Sequence, residues 1–182
     1  MKWMIASDIH GSAYWCQKLL EHFDREGADR LLLLGDILYH GPRNALPRDY
    51  DPQAVSAMLN ERREKIMAVR GNCDAEIDQM VLSFPAMADY ALLPVGERLM
   101  FVTHGHLYNT DSLPPLSKGD ILLNGHFHVP ACAENESFVY LNPGSVSIPK
   151  EDSPNSCLVL NDGLFVWKAV GGEEYMRWDA NK

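Results

Sequence analysis

Short apolar runs alternate with polar punctuation along the chain, and in the first half a helical period fills the gaps between runs. The stretches 4–6, 31–34 and 66–69 are continuously apolar and of strand length, the pattern of strands buried on both faces. Between the first two, Trp15, Leu19, Leu20 and Phe23 recur at helical spacing. This predicts a helix over about 13–26, with Ser12 as its N-cap and Gly27 as its stop. Strand, helix and strand make a βαβ unit, right-handed in nearly all proteins. A second helix is expected from Pro52, just after Asp51, to about Arg62. A short acidic helix is expected over about 75–82.

From Tyr90 the period becomes that of strands. The runs 92–95 and 99–102 flank Gly96-Glu97, a hairpin signal. A strand at 121–123 follows, then strands at 138–141 and 146–148 about a Pro143-Gly144 turn. The runs 157–160 and 164–167 bracket Asp162-Gly163, another hairpin. From about Gly171 the chain reads as polar and loosely held. Alternating strands and helices followed by antiparallel strands predict an α/β fold of two packed sheets with helices outside. No repeat or linker interrupts it, so one domain over 1–182 is expected. The stretch 38–51 has no period and is long for a connection. Such loops bind ligands or partners, and here a contact between copies in a homo-oligomer is one candidate role.

Five predicted strands end in side chains that can bind metal. Asp8 and His10 follow the first, Asp36 the second and Asn72 the third. His104 follows the run at 99–102, and Gly125-His126-Phe127-His128 follows 121–123. Residues at i and i+2 share a direction in extended backbone, so Asp8 with His10, and His126 with His128, are expected to face one site. Ligands of α/β sheets bind beyond the carboxyl ends of strands. Two carboxylates, four imidazoles and an amide exceed what one ion needs and fit two if a carboxylate is shared. Oxygen and imidazole donors suit Mn²⁺, Fe²⁺ or Zn²⁺ and argue against a thiolate zinc site. His22, mid-helix and apart from the motifs, reads as an ordinary surface residue, and Cys16 as a small packing residue. His40 and His106 are left unassigned.

Composition narrows the setting. A chain of 182 residues, 46% of them apolar, can bury a sizeable core. No apolar run is long enough to span a bilayer. The first strand leaves no room for a secretory signal, so a cytoplasmic location is expected. Cys16, Cys73, Cys132 and Cys157 show no Cys-x-x-Cys spacing, and free thiols are expected. The formal net charge is −9, from 16 basic and 25 acidic residues, which disfavours nucleic acid as a partner. The cluster at 62–65 is mixed in sign and reads as a solvated helix end.

Asp8-x-His10, Gly35-Asp36, Gly71-Asn72-Cys73-Asp74, His104-Gly105-His106 and Gly125-His126-x-His128 resemble, in order, the five blocks of the calcineurin-like metallophosphoesterases. Chain length, Gly-Pro-Arg-Asn at 41–44 and Asn-Pro-Gly-Ser at 142–145 make the whole chain similar to the small bacterial YfcE-type phosphodiesterases. The resemblance implies a four-layer α-β-β-α sandwich and a binuclear metal centre, often manganese, with Ni²⁺ also compatible. In it Asp8, His10 and His128 hold one ion, Asn72, His104 and His126 the other, and Asp36 bridges. Two such ions bind a phosphoryl oxygen, lower the pKa of a shared water and hold the hydroxide in line with the leaving oxygen. The implied catalytic group is Asp36, Asn72, Cys73 and Asp74. One position departs from the pattern: the usual Gly-Asn-His-Asp/Glu block has Cys73 in place of the His. A thiol is a weak donor without positive charge near neutral pH. The expected activity is hydrolysis of small phosphodiesters with acidic leaving groups. A broad phosphomonoesterase, or a non-catalytic scaffold of the same fold, is the alternative.

Overall fold

The apolar runs of the first half fold as parallel strands; the first two are buried on both faces, while the third lies at the sheet edge with Met67 exposed. The computed structural model describes residues 1–182. Its elements are β1 (Trp3–Ala6), α1 (Ala13–Glu26), β2 (Arg30–Leu33), α2 (Pro52–Asn60), β3 (Ile66–Ala68), β4 (Tyr90–Val95) and β5 (Arg98–Thr103). There follow β6 (Asp120–Leu123), β7 (Pro130–Glu134), β8 (Phe138–Pro143), β9 (Ser156–Asn161), β10 (Leu164–Ala169) and β11 (Glu174–Asp179). One sheet runs β11-β10-β9-β1-β2-β3, with β1, β2 and β3 parallel. The other runs β4-β5-β6-β8-β7, with β5, β6 and β8 parallel.

Strand alternation sorts the runs into two cores. Met4, Ala6, Leu31 and Leu33 face α1 and α2, beside Leu19, Phe23, Val55 and Leu59. Ile5, Leu32 and Leu34 face the second sheet and meet Met100, Val102, Ile121 and Leu123. Each fully buried side chain of this kind contributes about 1.5–3 kcal/mol. α1 forms over the expected span because its ends are satisfied: Ser12 Oγ accepts the Trp15 N–H, and Gly27 closes the helix at φ 61°. Asp51 caps α2, which stops at Asn60 instead of near Arg62. Both helices cover the first sheet. The outer face of the second is covered by the loop side chains Tyr108 and Leu116, which pack on Phe101, Leu122 and Phe138.

Several expectations are corrected. The segment 75–82 is not a helix; only a 3-10 turn forms, at Asp78–Met80. The Gln79 amide instead donates to Leu82 O and Phe84 O and accepts from Ala86 N, tying the chain into a bend. Residues 146–148 form no strand, because their N–H groups bond Ser7 O, Asp8 O and Ser145 Oγ. The tail beyond Gly171 is not loose: β11 pairs with β10, and Trp178 packs against Phe165 with ring centroids 5.5 Å apart. β7, unforeseen, is an edge strand that starts with Pro130, a position that tolerates proline. His22 is fully buried, not superficial, with Nε2 3.3 Å from Glu26 Oε1 and Nδ1 3.7 Å from Cys157 Sγ.

Candidate metal centre

The carboxyl ends of β1, β2 and β3 and those of β5 and β6 open on one place between the sheets. The segments there are bonded to one another. Asp8 N–H donates to Gly35 O at 3.2 Å, His10 N–H to Asp36 O at 2.9 Å and Gly125 N–H to His104 O at 2.9 Å. His126 N–H donates to Asp8 Oδ2 at 3.1 Å, which joins the two sheets through a candidate ligand.

All seven predicted donors converge. Asp8 Oδ1 lies 3.6 Å from His10 Nε2 and 3.3 Å from His128 Nε2. Asp36 Oδ2 lies 3.6 Å from His10 Nε2 and 3.4 Å from His104 Nε2. His104 Nε2 is 3.1 Å from Asn72 Oδ1 and 3.1 Å from His126 Nδ1. Three overlapping groups, Asp8-His10-His128, Asp8-Asp36-His104 and His10-Asp36-Cys73, each keep their donor atoms within 4.8 Å of one another.

The route to this convergence differs from the expected one. Asp8, His10, Asp36, His126 and His128 all have positive φ, between 49° and 65°. They are held in left-handed turns past the strand ends and not in extended backbone. Non-glycine residues adopt that region rarely, and five of the nine that do so in this chain are candidate donors, in keeping with the clustering of backbone strain at functional sites. The surroundings leave little slack: a Cβ on Gly71 would sit 2.1 Å from Asp36 Oδ1, and one on Gly125 1.9 Å from Ser7 Oγ. Only glycine lets these two backbones come so near the carboxylates.

The imidazoles are aimed by carbonyls. His10 Nδ1 bonds Tyr39 O at 2.8 Å, His104 Nδ1 bonds Leu34 O at 2.7 Å and His128 Nδ1 bonds Ile148 O at 2.7 Å. A carbonyl only accepts, so each Nδ1 carries the proton and each Nε2 faces the site, the usual arrangement behind a metal-bound histidine. Asp8 Oδ1 and His10 Nε2 are buried with no hydrogen-bond partner. Orphaned acceptors of that kind are costly unless a cation satisfies them, so the residues present fit a divalent ion.

The electrostatics agree. Burial alone would raise the Asp8 carboxyl, but the imidazoles of His10, His128 and His104 around it hold it far below its ordinary value. Asp36 is lowered too, with His104 outweighing its burial. Burial opposes charge on His104, yet Asp36 and Asp8 raise it to about 9. Burial, joined by the charge on His104, pushes His126 down to about 4. The buried Asp8 and Asp36 carboxylates thus favour positive charge at this place. Cys73 is a neutral thiol, pushed up to about 12 by burial and by Asp36.

Other side chains at the site carry no motif of their own. Ser145 Oγ and Ser147 Oγ both donate to Asp8 O, at 3.1 and 3.0 Å. Asn142 Nδ2 donates to Gly125 O at 2.9 Å. The Asn-Pro-Gly-Ser stretch was the one signal available for them. Over the donors lies a polar cleft of about 400 Å³, where Arg43, Asn44 and Lys150 face Asp36, Asn72 and Cys73. Of the unassigned histidines, His106 packs beside the donors and His40 lies among tyrosines. The His106 ring lies 5.4 Å from that of His104, and His40 packs edge-on to Tyr39 and Tyr50.

Known proteins place this geometry. The chain is 48% identical over 167 residues to phosphodiesterase YfcE of Escherichia coli (strain K12), covering 91% of each chain. It is 27% identical over 171 residues to the probable metallophosphoesterase YsnB of Bacillus subtilis (strain 168), covering 88% of this chain and 83% of the other. The solved structure of YfcE, a phosphoesterase from E. coli, superposes with a TM-score of 0.96 at 43% identity over the whole of both chains. Vps29 of Entamoeba histolytica in complex with Zn²⁺ shares the fold, with a TM-score of 0.61 at 20% identity over the whole of both chains. The calcineurin-like phosphoesterase superfamily domain matches residues 1–162. With two mixed sheets, strand-end donors and these relatives in agreement, the chain belongs to the calcineurin-like phosphoesterase superfamily of metal-dependent phosphoesterases.

Proposed function

We propose that this chain is a metal-dependent phosphodiesterase that hydrolyses small phosphodiesters at a centre of two divalent ions, within one catalytic domain. The observation that carries this reading is the position of Asp36 Oδ2, within 3.6 Å of His10 Nε2 and 3.4 Å of His104 Nε2, with further donors on either side. Asp8, His10 and His128 would hold one ion, and Asn72, His104 and His126 the other, with Asp36 shared. Bound divalent ions supply Lewis-acid polarisation of a phosphoryl oxygen and activation of water near neutral pH. Mn²⁺ suits these donors, as do Zn²⁺, Fe²⁺ and Ni²⁺. The 48%-identical relative named a phosphodiesterase supports diesters as the substrate class.

The chain's own groups do the rest. Arg43 and Lys150 bring positive charge to the polar cleft and so to an anionic diester, in a chain whose net charge of −9 would otherwise repel it. Hydrolysis adds water to phosphorus and breaks one P–O ester bond, giving a monoester and an alcohol. The departing oxygen needs a proton, and Cys73 holds its own tightly, being pushed up to about 12 by burial and Asp36. Diesters with acidic leaving groups are therefore preferred. No helix is long and apolar enough to cross a membrane.

Chelator-treated protein, assayed on mono- and diesters with Mn²⁺, Mg²⁺, Zn²⁺ and Ni²⁺ supplied separately, tests the reading. Activity should vanish with the chelator and return best with Mn²⁺, on diesters above monoesters. Full turnover by metal-free protein overturns the metal centre. Faster turnover of monoesters points to a phosphomonoesterase, and bound metal without turnover of either points to a scaffold.

A further inference from the structure

The polar cleft over the donors is not the only hollow that reaches Cys73. A second, of about 410 Å³, shares that residue as a wall; Leu38, Tyr39, Tyr50, Ile77 and Val81 supply most of its apolar lining, and Gln53, Ser56 and Asp78 are its polar members. Its chemistry is the opposite of its neighbour's. Two of its polar side chains are already engaged: Ser56 Oγ donates to Gln53 O at 2.9 Å, and Asp78 Oδ2 accepts the Ala75 N–H at 2.9 Å. The thiol between the two clefts is small and behaves as an apolar side chain. Tyr39 ties this cleft to the donors, since its carbonyl is the group that orients His10. At the mouth, Ile77 and Val81 are 64% and 50% exposed, apolar area that a ligand would cover. A concave, mostly apolar hollow of this size is the form small-molecule subsites take.

A diester has two arms that diverge from phosphorus, and here two clefts of contrasting character diverge from Cys73. We propose that the apolar cleft seats one ester arm of the substrate, an aromatic or comparably apolar group, while the phosphate lies in the polar cleft beside Asp36 and Asn72. This rests on the phosphodiesterase reading and adds to it a substrate class: diesters with at least one apolar arm. The shared Cys73 wall sets this cleft directly beside the polar one, which favours a substrate arm over a second copy of the chain as the occupant.

Two measurements test it. In the first, the methyl resonances of Leu38, Ile77 and Val81 are followed as diphenyl phosphate or dimethyl phosphate is added to the metal-loaded protein. Diphenyl phosphate should shift them and dimethyl phosphate should not. In the second, Ile77→Asn and Val81→Asn, neutral changes at exposed positions, are assayed on bis(p-nitrophenyl) phosphate. KM should rise about tenfold, equivalent to about 1.4 kcal/mol, with kcat nearly unchanged. Unmoved methyl signals together with an unchanged KM overturn the cleft's role while leaving the phosphodiesterase reading intact. Shifted methyls in a protein that hydrolyses no diester uphold the cleft and overturn that reading instead. Concentration-dependent dimerisation that Ile77→Asn abolishes, with diphenyl phosphate leaving the methyls unmoved, gives the cleft to a second copy and overturns the proposal.

Discussion

The Asp74 carboxylate carries the backbone of Asp36. Asp74 Oδ2 accepts the Asp36 N–H at 2.8 Å and the Gly71 N–H at 2.7 Å, and its Oδ1 accepts the Ile37 N–H at 2.8 Å. Asp36 sits at φ 52°, and three charge-assisted bonds hold it there. An acceptor is needed at both oxygens, so Asp74→Asn would turn an amide donor toward a backbone donor. The expected cost is about 2–3 kcal/mol, a fall of roughly 4–12 °C in the thermal midpoint for a chain of this size. Metal stoichiometry should fall as well at temperatures where the variant is fully folded. A variant that loses stability but still loads two ions would make Asp74 a fold residue alone.

Asp36→Asn tests the shared carboxylate itself. Asp36 Oδ1 accepts the Cys73 N–H at 2.8 Å while Oδ2 faces the imidazoles of His10 and His104. An amide keeps the shape and removes the anion. Turnover should fall by more than about 10³-fold, equivalent to about 4 kcal/mol of transition-state stabilisation, and metal analysis should find fewer than two ions per chain. Retention of both ions with near-normal rates would take Asp36 out of the bridging role.

How far these positions were legible in the sequence depends on the distance over which each is determined. The α1 boundaries follow from Ser12, Gly27 and an apolar stripe, all local, and they were read directly. The seven donors were found because each lies just past an apolar run. Their backbone is not legible in the same way, since the left-handed turns at His126 and His128 are imposed by partners such as Asp8 and Ile148, far away in sequence. β7 and β11 were missed for a related reason. Both are edge strands with half-exposed, charged residues, and their pairing partners decide them. His22 looked polar on a helix, and only the fold brings Cys157 and Lys168 over it.

The burial of His22 gives a pH dependence with a definite sign. Burial holds its pKa below the ordinary 6.5, against the pull of Glu26 and with help from Arg25 and Lys168. Cys157, raised to about 12 mainly by burial, stays a thiol beside the His22 Nδ1. The unfolded chain therefore takes up a proton near pH 6.5 that the folded chain refuses. This contribution is present above pH 6.5 and is lost as pH falls below it. His22→Gln removes the proton site. Between pH 7.5 and 5.5 the wild-type thermal midpoint should fall further than that of the variant, both measured with chelator present. The comparison cancels the titration of the metal-site histidines, and parallel curves would mean that His22 titrates alike in the folded and unfolded chain.

Cys73 sets the preference among leaving groups. An alkoxide leaves poorly unless protonated, whereas an aryloxide needs less help, and the thiol at this position is neutral and a weak acid. A monoester also carries an extra negative charge that an imidazolium at this place would meet and a thiol does not. Cys73→His should raise the rate on diesters with poor leaving groups by on the order of 10²-fold, the lower range of general acid catalysis, and should raise it less where the leaving group is already acidic. The structure adds a condition. Both Asp74 oxygens are occupied by backbone N–H groups, so that carboxylate is not free to orient the new ring, and the gain depends on the ring's own packing against Asn72 and the two clefts. The quantity to measure is the slope of log kcat against leaving-group pKa, in wild type and variant, with metal content matched. A steep wild-type slope that flattens in the variant assigns the missing acid to position 73. A slope already flat in the wild type would mean that another group protonates the leaving oxygen, and the arrangement around Cys73 would then have no part in that step.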